Sequence, residues 1–290
     1  MGLCDEVRRS CAEIAAASRL VSIELDRLGE VEPGPPPVLD PLRHYLDGPP
    51  GDVAAYVLTL DSVNFGSGWF PTLRKRPGCS GYYTVAWALA DRFREHGPWS
   101  PAELRELDAP AVAGVLGQDP GHELMALYAR ALNDLGEFLG DRGALEAVEA
   151  AGGSAERLAG QLAAGMPLFD DRGFWKRAQI APNDLALAGV AEFGDLDRLT
   201  IFADNLVPHV LRVDGVLRYD PALAARIDAG ELLEPGGAER EIRAAAVHAC
   251  ELIAERMATP PRVLDTWLWN RGQAPRYKAV PRHRTRTVFY

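Results

Sequence analysis

Apolar residues in this 290-residue chain recur every three or four positions in segment after segment, and almost nowhere at every second position. The clearest stretch is GHELMALYARALNDLGEFLGD, where Leu124, Leu127, Tyr128, Ala131, Leu135 and Phe138 share one helix face. A chain patterned in this way must bury helices against helices, which predicts a mainly α, globular multi-helix fold with little β. Cys4 to Leu28 read as one long helix with an apolar stripe of Val7, Cys11, Ile14, Ala15 and Leu20. The stiff connector GEVEPGPPPVLDP then breaks it. SPAELREL carries a capping box, with Ser100 as the cap, Pro101 at the first helical position and Glu103 three residues on. The best strand candidates are TRTVFY and VLRVDGVLRY, the latter as a hairpin around Asp214-Gly215. No repeat interrupts the pattern, and 1–290 read as one domain, with the first helix and connector in 1–50 and the core in 51–290.

The formal charge of −10 argues against a protein that grips a polyphosphate backbone, so no duplex nucleic acid is expected as a partner. A local arginine cluster still suffices for a small phosphorylated ligand. No apolar run is long enough to cross a bilayer, and MGLCDEVRRSC has acids where a signal peptide needs an apolar stretch. Its Met-Gly start lacks the Ser or Thr of a myristoylation site, having Glu6 instead. Cys4, Cys11, Cys79 and Cys250 form no CxxC. Cys4 and Cys11 would lie roughly 10 Å apart along a helix, too far for a disulfide. The expectation is a cytoplasmic monomer with buried thiols, no metal and no cofactor.

Four stretches place polar groups where apolar burial should prevail. In RLTIFADNLVPHVL, Leu199, Phe202, Ala203, Leu206 and Val210 recur at helical spacing, yet Asp204 sits among them and Pro208 follows four residues later. Pro208 cannot donate to the Asp204 carbonyl, so a helix should break here. Asp204 is then either an Asx-type cap of the second half-helix or a partly desolvated carboxylate suited to a developing cation or to a proton from water. Asn205 either orients a ligand or completes the cap. In GFWKRAQI, Lys176 and Arg177 lie between Phe174, Trp175 and Ile180. They either snorkel or bring a cation to an apolar cleft. LDSVNFGSGWF gathers Asn64, Phe65, Trp69 and Phe70 around glycines, which suits either a core cap or a stack on a planar base. PRHRTRTVFY concentrates Arg282, His283, Arg284 and Arg286 ahead of Val288, Phe289 and Tyr290. An apolar end of this kind docks, and docking would turn the basic residues into a phosphate clamp.

Taken in order, VNFGSGW with GYY, GFWKRAQI, LTIFADNLVPHVL, EREIRAAAVHACELI, LDTWLWN and HRTRTVFY resemble the signatures of the queuosine salvage family of N-glycosidases. The resemblance implies hydrolysis of queuosine 5′-monophosphate to queuine and ribose 5-phosphate in a single catalytic domain. It also implies a fold similar to the helix-hairpin-helix DNA glycosylases. The family's catalytic Asp falls on Asp204, its active-site Lys on Lys176, and its Asn-Phe motif on Asn64 and Phe65. The family has a compact Asn-Phe-x-Phe-Trp where this chain has NFGSGW, so the base would stack on either Phe65 or Trp69. Asn205, His209, Asp265, Trp269, His283, Arg284, Arg286 and Tyr290 complete the residues expected to touch substrate, with Asp265 facing the ammonium of the base side chain. Two other readings are a DNA-repair glycosylase of the same helical plan, and a non-enzymatic helical interaction module.

Overall fold

The computed structural model describes residues 2–290. Its helices divide between two apolar cores. The middle of the chain builds the first from α2 (Pro50–Ser62), α3 (Gly81–His96), α4 (Pro101–Glu106), α5 (Ala109–Leu116), α6 (Glu123–Leu139), α7 (Ala144–Glu149), α8 (Ala155–Gly165) and one face of α9 (Lys176–Leu187). The second joins α1 (Leu3–Ala17) to α10 (Val207–Val213), α11 (Pro221–Asp228), α12 (Gly237–Met257), α13 (Pro261–Arg271) and α14 (Pro275–Lys278). α1 lies along α12, burying Val7 and Cys11 against Ile242, Ala246 and their neighbours. The Ser100–Glu103 capping box forms, with Glu103 N–H 3.2 Å from Ser100 Oγ and Ser100 N–H 2.8 Å from Glu103 Oε2.

Three local expectations fail, each because a tertiary partner outbids the local pattern. The predicted helix from Cys4 to Leu28 ends at Ala17. The Glu241 carboxylate of α12 accepts from Ser18 Oγ (2.5 Å), Arg19 N–H (3.2 Å) and Leu20 N–H (3.1 Å), and turns the chain out of the helix. It continues as β1 (Val21–Ile23) and a short 3₁₀ turn. The Asp214-Gly215 hairpin does not form either. VLRV belongs to α10, where Pro208 fits the first turn and Val210 and Leu211 are buried. Only β2 (Leu217–Tyr219) is a strand, and it pairs antiparallel with β1, Val21 opposite Tyr219. TRTVFY is extended but enters no sheet. It is fixed by Gly66 N–H to Tyr290 O (2.9 Å), Arg177 Nη2 to Val288 O (2.7 Å) and Leu233 N–H to Arg284 O (2.8 Å).

The stretch around Asp204 departs from a broken helix in an instructive way. From Leu199 to Asp204 it forms no helix, because side chains of three helices take its backbone groups. Thr200 N–H donates to Gln179 Oε1 of α9 (2.9 Å), Phe202 N–H to Asp265 Oδ1 of α13 (2.9 Å), and Arg243 Nε of α12 to Ala203 O (2.9 Å). With those bonds made, no helical turn forms ahead of Pro208.

Candidate active site

Between the two cores lies a cavity of about 820 Å³. α9 runs along it and presents Lys176, Ile180, Asn183, Asp184 and Leu187, a single face at helical spacing. The first core contributes Asn64, Phe65, Phe70, Tyr82 and Tyr83, and the second contributes Asp204, His209, Asp265 and Trp269. The Pro-rich connector closes one side through Val38, Leu39 and Asp40, held in place by Trp267 Nε1 donating to Pro35 O (2.9 Å).

Asp204 sits on this wall, partly open to the cavity. Its Oδ1 accepts from Leu206 N–H (2.7 Å) and Val207 N–H (3.0 Å). The cap and the cavity acid are therefore one residue: the backbone bonds fix the carboxylate by one oxygen, while its charge acts on Lys176, Asp265 and Arg282. Lys176 is the first residue of α9 and follows Trp175, whose left-handed backbone (φ 45°) is strained for an aromatic residue. The lysine is buried. Its Nζ donates to Asn64 O (3.1 Å) and Asn64 Oδ1 (3.4 Å). Burial pulls its pKa below the ordinary lysine value, and the Asp204 carboxylate opposes that pull. Neither Lys176 nor Arg177 snorkels. Arg177 is sandwiched between Phe65 and Phe169, donates to Ser62 O (2.6 Å) and Leu168 O, and has its pKa brought down to about 9 by burial.

Beneath these groups lies an ion-pair hub that the sequence did not single out. Arg243 is 2% exposed and binds Asp171 through both of its terminal nitrogens (2.5 and 3.1 Å) and Glu239 at 3.3 Å. Burial is the largest single influence and works against its charge, but Asp171 and Glu239 together hold its pKa above the ordinary arginine value. The same Arg243 holds Ala203 O beside Asp204, and the same Asp171 accepts from the Lys176 backbone N–H (3.4 Å). One buried pair thus sets both Asp204 and Lys176.

The remaining expected residues separate into those on the cavity wall and those off it. Asn64 is on the wall, but its amide is committed, Nδ2 donating to Asp61 (3.3 Å) while the oxygens receive Lys176. Phe65 is also there, 1% exposed, with its ring edge-to-face on Tyr128 at 5.0 Å. Asn205 donates to His283 O (3.2 Å) and so pins the tail. His209 Nε2 donates to Tyr277 O (2.8 Å), and burial lowers its pKa below the ordinary histidine value. Asp265, Trp269, Arg284 and Tyr290 all line the cavity.

Trp69, His283 and Arg286 do not line it. The Trp69 indole is buried, with Nε1 donating to Glu123 Oε2 (2.6 Å) and the Arg286 guanidinium over its ring. Arg286 itself pairs with Glu123 at 3.5 Å. In the extended tail alternate side chains point opposite ways, which separates His283 from Arg282 and Arg284; Arg286, on the same side as those two, is drawn off by Glu123. Arg282 and Arg284 face the cavity, while His283, Thr285 and Thr287 are buried. The tail also passes so close to the NFGSGW loop that a Cβ on Gly68 would lie 2.3 Å from Thr285 O. Wall residues the sequence reading missed are Asn183, Asp184, Tyr82 and Tyr83. Among the described residues no group of three or more His, Cys, Asp or Glu is placed to hold a metal ion.

His283 cannot be a cationic clamp. It is 1% exposed, neither ring nitrogen has a partner among the described residues, and burial lowers its pKa from 6.5 to about 3. Between those values the unfolded chain binds a proton that the folded protein refuses. The stability associated with this residue is full above 6.5 and falls as pH drops toward 3, by up to about 1.4 kcal/mol per pH unit. Urea unfolding of the wild type and His283→Leu between pH 7 and 5 should therefore show the wild type losing stability relative to the variant. Parallel curves would contradict the assignment.

Comparison with known proteins agrees with the motifs. The model of the family described as "Queuosine salvage protein" matches residues 44–290. A Sphaerobacter thermophilus protein named queuosine 5′-phosphate N-glycosylase/hydrolase is 36% identical over 280 residues, with 88% of this chain and 86% of that protein covered. A Mus musculus protein of the same name is 29% identical over 291 residues, covering 85% of each. A third, from Dictyostelium discoideum, is 38% identical over 135 residues and 40% of each chain. With the signatures, the match from residue 44 onward and relatives aligned over most of their length, this chain belongs to the queuosine salvage protein family.

Proposed function

We propose that the cavity hydrolyses the N-glycosidic bond of queuosine 5′-monophosphate, releasing queuine and ribose 5-phosphate. The observation that carries this reading is a fixed carboxylate, Asp204, on a wall that also presents Lys176 and two arginines. Cleavage of this bond passes through an oxocarbenium-like state. A carboxylate held by backbone N–H groups stabilises that positive charge without moving. The departing base is a 7-deazaguanine and has no N7 to protonate, so stacking and hydrogen bonding must stabilise it. Phe70, Phe202, Trp269 and the two tyrosines supply apolar faces on the wall. Arg282 and Arg284 suit the 5′-phosphate. Burial lowers the Arg282 pKa, Asp204 opposes this and Arg284 adds to it, so a bound anion would relieve the repulsion between the two arginines.

The supporting features for a single catalytic domain over 1–290 are the packing of α1 on α12 and the connector on the cavity wall. The acidic balance and the scatter of the exposed large apolar side chains, Leu25, Val38, Leu42 and Leu232, favour a monomer that does not bind duplex DNA. We read the helical build, with an acid at the cavity wall, as related to the helix-hairpin-helix glycosylases, and the compartment as the cytoplasm; no helix among the described residues is long and apolar enough to cross a membrane. The test is mass spectrometry of purified protein incubated in parallel with queuosine and its 5′-monophosphate. Free base from the phosphorylated substrate, faster than from the nucleoside, is expected. No base from either would overturn the reading.

A further inference from the structure

Half of the α9 face has no role in the chemistry above. Asn183 and Asp184 lie about 10–12 Å along the helix axis from Lys176, on the same cavity-lining row. Asn183 is 3% exposed. Its Nδ2 donates to Asp184 Oδ1 (3.0 Å), which leaves the Asn183 amide oxygen, on a residue of the cavity wall, as a buried acceptor with no partner among the described residues. An unpaired buried carbonyl of this kind costs stability unless a ligand donates to it. Near it on α9 the polar groups are acidic, while the cavity's arginines, Arg282 and Arg284, come from the tail. Asp184, Asp204 and Asp265 share the wall, and Asp61 is fully buried behind Asn64, against Lys176 as the buried ammonium. Burial pushes the Asp184 pKa up to about 6 and that of Asp265 well above the ordinary value, so a cation placed beside either would favour its ionised form. The neighbouring wall is aromatic. Tyr82 and Tyr83 stand edge-on to Trp269 at 5.8 and 5.7 Å, and the Tyr82 hydroxyl is locked by donating to His44 Nε2 (3.0 Å).

We propose that Asn183 and Asp184 form a subsite for the ammonium group carried on the side chain of the 7-deazaguanine base, one N–H donated to the free Asn183 Oδ1 and one to the Asp184 carboxylate. The proposal rests on the substrate reading given above and moves the ammonium contact from Asp265 to α9. Asp265 already accepts from the Phe202 N–H at 2.9 Å and holds the segment leading to Asp204, whereas the Asn183 oxygen has no partner among the described residues. A neutral side chain at the same position of the base leaves the buried acceptors unpaired, so the pair selects for charge.

Calorimetric titration with two free bases tests this at pH 7.5: 7-aminomethyl-7-deazaguanine, which carries an ammonium, and 7-methyl-7-deazaguanine, which does not. The wild type is expected to bind the charged base at least about tenfold more tightly, as for a hydrogen bond to a charged group. Asp184→Asn should bring the two affinities within about twofold while leaving the methyl compound unchanged, and Asn183→Ala should remove part of the preference. Equal affinity of the wild type for both bases overturns the subsite without needing any variant. Equal weakening of both bases by Asp184→Asn also overturns it, since the carboxylate would then read the ring edge. Base release from queuosine 5′-monophosphate by the same wild-type preparation tests the reaction separately. Release with no charge preference sinks only the subsite, and a charge preference without release sinks only the reaction.

Discussion

Asp204→Asn should lower turnover of queuosine 5′-monophosphate at least about a hundredfold, a barrier increase of about 3 kcal/mol, with little change in stability. The two effects separate because Asp204 does two jobs through different properties. Its Oδ1 accepts from the Leu206 and Val207 N–H groups, and an Asn side chain keeps that acceptor. Only the charge is lost. Asp204→Ala removes both and should cost about 1 kcal/mol of stability in addition. Single-turnover base release, read beside urea unfolding of both variants, checks the pair. Undiminished turnover by a folded Asp204→Asn protein would remove the carboxylate from the chemistry.

Arg243→Met should destabilise the fold by about 3–5 kcal/mol, because it strands two buried carboxylates without their cation. Asp171 and Glu239 are each 5% exposed, so water cannot replace the arginine. Activity should fall even under conditions where the variant stays folded. The backbone carbonyl before Asp204 and the backbone N–H of Lys176 are both tied to the Arg243–Asp171 pair. Denaturant unfolding at pH 7 gives the first quantity and kcat at saturating substrate the second. A loss below about 1 kcal/mol would mean that the pair is screened as a surface ion pair is.

Asp204 was legible in the sequence because a charge four residues before a proline, inside an apolar run, has few ordinary explanations. What the run could not reveal is that its backbone would be bound by Gln179, Asp265 and Arg243, which turned an expected broken helix into a segment with no helix before Asp204. Lys176 stood out because it interrupts aromatic neighbours. Arg243 did not, since in EREIRAAAVHACELI it reads as one more polar residue on a helix, and only the position of Asp171 across the core makes it buried and paired. Asn183 and Asp184 drew no reading in the sequence; in the fold, Pro182 is accommodated inside α9 and both residues reach the cavity. The docked tail was foreseeable from its apolar end. Which of its basic residues line the cavity depended on the alternation of an extended backbone, which selected Arg282 and Arg284 over His283, and on Glu123, which draws Arg286 away. The short β1–β2 pair escaped because two three-residue strands, far apart in sequence, leave no period to read.

The orientation of the sugar in the cavity tests the central claim most directly. In a crystal of the protein soaked with ribose 5-phosphate, C1′ should lie about 3–3.5 Å from the Asp204 carboxylate, with the phosphate on the Arg282 and Arg284 guanidinium groups. A sugar bound with C1′ turned away from Asp204, or a phosphate seated at the Asn183–Asp184 end, would contradict it.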